Sequence, residues 1–126
     1  MAKDGKINDP VTYKIIGCAM NVHNELGNGF QELIYQRSLS YEMELRGLNH
    51  QREVEMPLFY KELSVGSRRV DFIVEDTVML ELKAVIKLEN VHLAQALNYL
   101  RAYQLEKGLL INFGGTRLEY KLLFPR

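Results

Sequence analysis

Residues 70–85 read "VDFIVEDTVMLELKAV", two apolar runs broken by a short polar stretch, and their pairing decides the architecture. Side chains on a strand alternate between faces. Val78, Leu80, Leu82 and Ala84 therefore share one face of the second run, and Met79, Glu81 and Lys83 the other. On the first run, Val70, Phe72 and Val74 lie opposite Arg69, Asp71 and Ile73. A two-residue turn would set Asp71 against Leu82 and mix charge with core. A three-residue loop, Glu75-Asp76-Thr77, instead pairs Val74 with Val78, Phe72 with Leu80 and Val70 with Leu82. That register makes one face continuous core and sets Asp71 directly opposite Glu81, with Lys83 beyond it.

Two carboxylates with Cβ atoms ~5 Å apart across a ladder repel each other unless a cation lies between them. Hard divalent ions such as Mg²⁺ take oxygen ligands and keep several waters. Lys83, ~7 Å along the same face, could stabilise developing negative charge or orient a water. The plain alternative is a solvated polar face carrying a Lys–Glu pair, the usual pattern of a one-sided sheet.

Outward from this hairpin, "NDPVTYKIIGCAMNVHNELGNG" (8–29) carries a helix start at Asp9-Pro10 and a stop at Gly27, with Ile15, Ala19, Val22 and Leu26 as its apolar stripe. A second helix is expected from about residue 30 to 46. Then come a strand over "REVEMPLFY" (52–60), a possible short strand at 63–65, and the hairpin strands 69–74 and 78–83. Pro57 suits an edge or a bulge better than mid-sheet. A third helix covers about 90–104, followed by "LLINF" (109–113) and "RLEYKLLF" (117–124) as strands. The order α-α-β-β-β-β-α-β-β implies helices around one central sheet.

At 126 residues, 47% hydrophobic and 25% charged, the chain suits one domain over 10–126 behind a loose polar segment, 1–9. Sixteen basic and sixteen acidic residues cancel, which argues against coating nucleic acid by bulk charge. The lone Cys18 reads as a small buried hydrophobe. No apolar run approaches a membrane span and no signal-peptide pattern is present, so a cytoplasmic location is expected.

The spacing Asp71…Glu81-x-Lys83 resembles the PD-(D/E)XK nuclease superfamily, although the residue before the aspartate is Val70 rather than proline. "GFQELIY" (29–35) also resembles the G-x-x-E-x-x-Y pattern of the GxxExxY protein family within it, through Gly29, Glu32 and Tyr35. "RRVDFIVEDTVMLELKAV", "HLAQALNYLRAY" and "GLLINFG" are similar to that family in the same order. The resemblance implies an α/β, restriction-endonuclease-like core: a central mixed β-sheet flanked by α-helices. It also implies a metal-dependent phosphodiesterase, with Mg²⁺ or Mn²⁺ held by Asp71 and Glu81, Lys83 as the catalytic lysine, and Glu32 helping to hold the metal or its waters. "QALNY" matches the Q-x-x-x-Y motif of RecB-type nucleases and adds Gln95 and Tyr99 beside the site.

Individual residues carry ordinary readings too. Glu32 lies on an apolar stripe with Tyr35, Leu39 and Met43, but an acid also suits a first helical turn. A second stripe, Phe30, Ile34, Tyr41 and Leu45, suggests that this helix is covered on both sides. On the third helix Gln95, Tyr99, His92 and Tyr103 share one side, and Leu93, Leu97 and Leu100 form the expected core stripe. Gln95 is the stronger site candidate of the motif pair, and His92 a weak outer one. Arg68, Arg69 and Lys87 could touch phosphate, yet arginines at strand edges are commonly just solvated. The expected partner is nucleic acid, DNA ahead of RNA, with no membrane; targeting would come from a protein partner, a homo-oligomer or nucleic-acid shape. The competing function is a catalytically silent nucleic-acid-binding or protein-interaction module on a nuclease scaffold.

Overall fold

The computed structural model describes residues 9–125. Helices α1 (Pro10–Leu26) and α2 (Glu32–Leu45) precede strands β1 (His50–Tyr60), β2 (Leu63–Val74) and β3 (Val78–Lys83); α3 (Asn90–Tyr103), β4 (Lys107–Asn112) and β5 (Glu119–Leu123) complete the chain. The strands form one sheet in sequence order. All neighbours are antiparallel except β3 and β4, which run parallel. A parallel pair needs a crossover, and α3 supplies it.

Asp9 caps α1, its carboxylate accepting from the amides of Val11 and Thr12, and Gly27 at φ +69 ends that helix. Of the expected loose segment 1–9, residues 1–8 lie outside the described residues, while Asp9 is part of the helix cap. Ile15, Ala19 and Val22 are buried as their periodicity requires. With Tyr35, Leu39 and Met43 of α2 they cover one face of the sheet, against Phe72, Val74, Val78, Leu80 and Leu82. The other face packs Val70, Ile73, Met79 and Leu110 under Ala96, Leu100 and Tyr103 of α3. Burial on both faces explains why β3 and β4 read as nearly continuous apolar runs. Cys18 is free and buried.

Four expectations are corrected. The strands expected at 63–65 and 69–74 are one strand, β2, so three strands rather than four precede α3. Gly66, at φ +155, and a register shift at Leu58/Phe59 absorb the irregularity inside the ribbon. Pro57 sits on the edge strand β1, where its missing N–H is tolerated. On α2 the stripe of Phe30, Ile34, Tyr41 and Leu45 is left exposed rather than covered. On α3 the fully buried residues are Ala96, Leu100 and Tyr103, with Leu93 and Leu97 only partly covered.

The fourth correction bears on function. Val74–Val78 and Phe72–Leu80 pair as expected across the Glu75-Asp76-Thr77 loop, but the β2–β3 ladder stops there. Neither Val70–Leu82 nor Asp71–Glu81 is a ladder pair, and Val70 packs with Ile73 rather than with Phe72. The neighbouring β1–β2 ladder is interrupted at the same level: its register is unchanged from Arg52–Phe72 to Val54–Val70, but Glu53 and Asp71 between them are not paired, and Glu53 has a φ of +54. The sheet therefore opens at Asp71.

Candidate functional site

Where the ladder opens, the two carboxylates occupy the gap. Asp71 Oδ2 accepts a hydrogen bond from the Leu82 amide at 2.7 Å, and Glu81 Oε1 accepts one from the Asp71 amide at 3.3 Å. Each carboxylate thus takes up an amide of the opposite strand that a closed ladder would have satisfied. They do not sit side by side on one sheet face, as a regular register would have put them. They meet between the strands.

Each carboxylate has a second partner, from opposite sides. Gln36 of α2, only 5% exposed, donates from Nε2 to Asp71 Oδ1 at 2.8 Å. Its Oε1 is buried and without a hydrogen-bond partner. Arg68 of β2 donates from Nη2 to Glu81 Oε2 at 2.6 Å, and its guanidinium lies 4.5 Å from the centre of the Tyr99 ring on α3. The arginine read as a solvated strand-edge residue is instead the counter-ion of a buried carboxylate. Arg69 does remain exposed, facing Glu53 at 3.9 Å. Behind Arg68, the Tyr103 hydroxyl shares its proton between the Val54 and Arg68 carbonyls and accepts from the Val70 amide.

Burial, then the neighbouring Asp71 charge, push the Glu81 carboxyl up to about 7, against the charge and hydrogen bond of Arg68 and the Asp71 amide. Glu32 stands at the rim, at the start of α2. Partial burial of its carboxyl and the charge of Asp71 raise its pKa, while Lys83, Arg68 and the Ala84 amide lower it. Glu32 is exposed as a residue, so the Asp71 charge is the more telling of the two raising effects. Lys83, half-buried, closes β3 beside Asn112 of β4.

The G-x-x-E-x-x-Y residues have separable jobs. Gly29 turns the chain at φ +105. The Tyr35 hydroxyl donates to the Gly27 carbonyl at 2.6 Å and accepts from the Phe30 amide, while its ring stacks on Phe113 at 4.7 Å. This fixes the start of α2 and hence Glu32 and Gln36.

Asp71 and Glu81 thus meet, Glu32 at the rim stands within reach of the Asp71 and Lys83 charges, and Tyr99 reaches Glu81 through Arg68. Gln95 is exposed on α3 and makes no side-chain hydrogen bond to them among the described residues. His92 is taken up in a capping box, its Nδ1 accepting from the Glu89 amide. Gln36 was not singled out from sequence, although a polar residue one turn beyond Glu32 and next to the buried Tyr35 was a usable signal.

The all-oxygen donor set suits a hard cation such as Mg²⁺ or Mn²⁺, and the unpartnered Gln36 Oε1 beside Asp71 leaves a polar valence for its water. Among the described residues no three His, Cys, Asp or Glu side chains are grouped to hold an ion. The protein would therefore contribute two carboxylates, Asp71 and Glu81, and water or substrate the rest. An open cleft of about 410 Å³, lined by Glu55, Ser67, Arg69 and Asp71 among others, adjoins the pair.

The sequence model of the PD-(D/E)XK nuclease superfamily matches residues 9–122. No curated protein matches the chain. Among solved structures, the crystal structure of SSO0001 aligns with a TM-score of 0.52 over 98% of this chain and 70% of that one, at 18% identity. At that identity the likeness speaks for the fold alone.

Proposed function

This chain belongs to the PD-(D/E)XK nuclease superfamily, and from that premise we propose that it is a divalent-metal-dependent nuclease acting at the opening between β2 and β3. The observation that carries the reading is the reciprocal Asp71/Glu81 arrangement in the opened ladder, with Lys83 closing β3 beside it. A structural polar pair would not need to interrupt the sheet.

Asp71 and Glu81 would hold Mg²⁺ or Mn²⁺, with Glu32 acting through water. When bound, the ion supplies Lewis-acid polarisation of the phosphate and a more acidic attacking water. Gln36 fixes the orientation of Asp71 by its bond to Oδ1. Arg68, held over Tyr99, sets the direction of the Glu81 carboxylate. The Lys83 ammonium offsets negative charge that builds on the phosphate. Gly29, Glu32 and Tyr35 support a narrower place in the GxxExxY family. DNA ranks ahead of RNA as substrate. Among the described residues no helix is long and apolar enough to cross a membrane, and we place the activity in the cytoplasm.

The Arg68–Glu81 pair at 2.6 Å favours a second reading, since a guanidinium can replace a metal as counter-ion on a silent scaffold. Isothermal titration of Mn²⁺ into wild type and Asp71→Asn, followed by incubation with DNA and RNA, separates the two. Binding lost in the variant, with metal-dependent cleavage by wild type only, supports the nuclease. Absence of specific Mn²⁺ binding by wild type would leave the silent scaffold.

A further inference from the structure

The loop of residues 84–89 leaves β3 immediately after Lys83 and is held with unusual care. Asn112, fully buried, accepts from the Val85 amide at its Oδ1 and donates from Nδ2 to the Val85 carbonyl, both at 2.9 Å. The same Nδ2 donates to Glu119 Oε1 at 2.8 Å, and that oxygen also accepts from the Leu88 amide at 3.1 Å. The Phe113 amide donates to the Lys83 carbonyl at 2.9 Å. Gly114 lies so close that a Cβ there would stand 2.2 Å from the Val85 carbonyl oxygen.

The buried Asn112, the half-buried Glu119 and a close glycine thus clamp the loop at Lys83, Val85 and Leu88. Between the clamps, Ile86 is 90% exposed and Lys87 is exposed beside it. Folding gains nothing from an isoleucine at this tip, because no apolar area is removed from water there. A fixed loop that presents an apolar side chain and a cation, three residues from Lys83, has the chemistry of a contact to a base face and its phosphate.

Resting on the nuclease reading above, we propose that Ile86 lies against an unpaired base beside the scissile phosphodiester, with Lys87 on the neighbouring phosphate. The substrate class is then single-stranded or locally unpaired nucleic acid. Wedging an aliphatic side chain into an intact duplex requires unstacking, which architectural proteins offset with extensive wrapping. An unpaired base needs no unstacking.

The chain contains no tryptophan, so Ile86→Trp introduces a single indole whose fluorescence is quenched when it stacks on a base. Tyr13→Trp is the control. It lies in the first turns of α1, whose cap Asp9 pairs with Lys107 at 2.9 Å, and Lys107 is opposite Val78, at the end of β3 away from Lys83. Both variants are titrated with single-stranded and matched duplex oligonucleotides in Ca²⁺, with binding followed in parallel by anisotropy of a labelled strand. The expected result is quenching of Ile86→Trp by single strands at roughly tenfold lower concentration than by duplex, with the control unquenched. In the same assay Ile86→Ser should bind single strands roughly tenfold more weakly than wild type. Equal quenching by duplex overturns the unpaired-substrate assignment. Binding seen by anisotropy without quenching of Ile86→Trp overturns the base contact and leaves the nuclease standing. If wild type binds no nucleic acid, the nuclease reading itself fails and this inference with it.

Discussion

Replacing Glu81 with glutamine keeps the side chain's shape and removes its charge, so it probes the site through stability. In the folded protein the carboxyl is raised from 4.5 to about 7, first by burial and then by Asp71, and the side chain is only 3% exposed. A raised carboxyl favours its protonated form in the fold. Its contribution is therefore undiminished below pH 4.5 and is lost progressively as pH rises through 7. Ionised Glu81 costs about 3 kcal/mol at pH 8 and about 1 kcal/mol at pH 5, from the two pKa values and 1.36 kcal/mol per pH unit. Glutamine removes this titration, although both partners of Glu81, Arg68 Nη2 and the Asp71 amide, are donors and the single carboxamide oxygen can serve only one of them. In EDTA, urea unfolding should therefore show the stability of Glu81→Gln relative to wild type rising by about 2 kcal/mol from pH 5 to pH 8. Mn²⁺ binding should be lost. A stability difference between variant and wild type that does not change with pH would refute the account of Glu81 as a carboxylate held against its own burial.

Three further outcomes follow from the same geometry. Because Glu81 must shed a proton to bind a cation, Mn²⁺ affinity measured by titration calorimetry should be about tenfold weaker at pH 6 than at pH 8; a flat profile would contradict it. Tyr103→Phe removes the hydroxyl that serves the Val54 and Arg68 carbonyls and the Val70 amide, so denaturant unfolding should show a loss of about 1–3 kcal/mol. Gly114→Ala drives a Cβ to 2.2 Å from the Val85 carbonyl oxygen and 2.4 Å from its nitrogen, backbone atoms that cannot swing away. Thermal melting should record a loss of about 3 kcal/mol, and cleavage should fall with it because the displaced segment begins at Ala84.

The hairpin was legible because alternating apolar residues and loop length leave one sensible register, and Val74–Val78 and Phe72–Leu80 follow it. Legibility ends at Asp71. The break there coincides with Glu53, on the neighbouring strand, in a left-handed φ that its residue type does not favour and that local pattern does not announce. Arg68 was misread for a related reason. Strand position indicates an edge residue, but the ring of Tyr99 and the carboxylate of Glu81, both distant in sequence, draw it inward. Helical spacing puts Gln95 and Tyr99 on one side of α3 without telling which reaches the strands. The placement of Arg68 favours Tyr99.

Asp71 is both part of the sheet and part of the site, and the choice of substitution separates those roles. Alanine at 71 would leave the Leu82 amide and Gln36 Nε2 without their acceptor. Each orphaned buried donor costs about 1–3 kcal/mol, partly relieved here by water at the open edge, so a loss of about 2 kcal/mol is expected. Asparagine can still accept from the Leu82 amide through its carbonyl oxygen. Its amide then faces Gln36, whose Oε1 is at present without a partner. A flip of the Gln36 carboxamide turns a donor–donor clash into a hydrogen bond and uses that idle acceptor. Asp71→Asn should therefore unfold within about 1 kcal/mol of wild type in EDTA, while both variants lose Mn²⁺ binding. Equal stability of the alanine and asparagine variants would mean that Asp71 does not hold the opened strands together. Retained Mn²⁺ binding by the asparagine variant would instead remove Asp71 from the metal site and leave it a purely structural clasp.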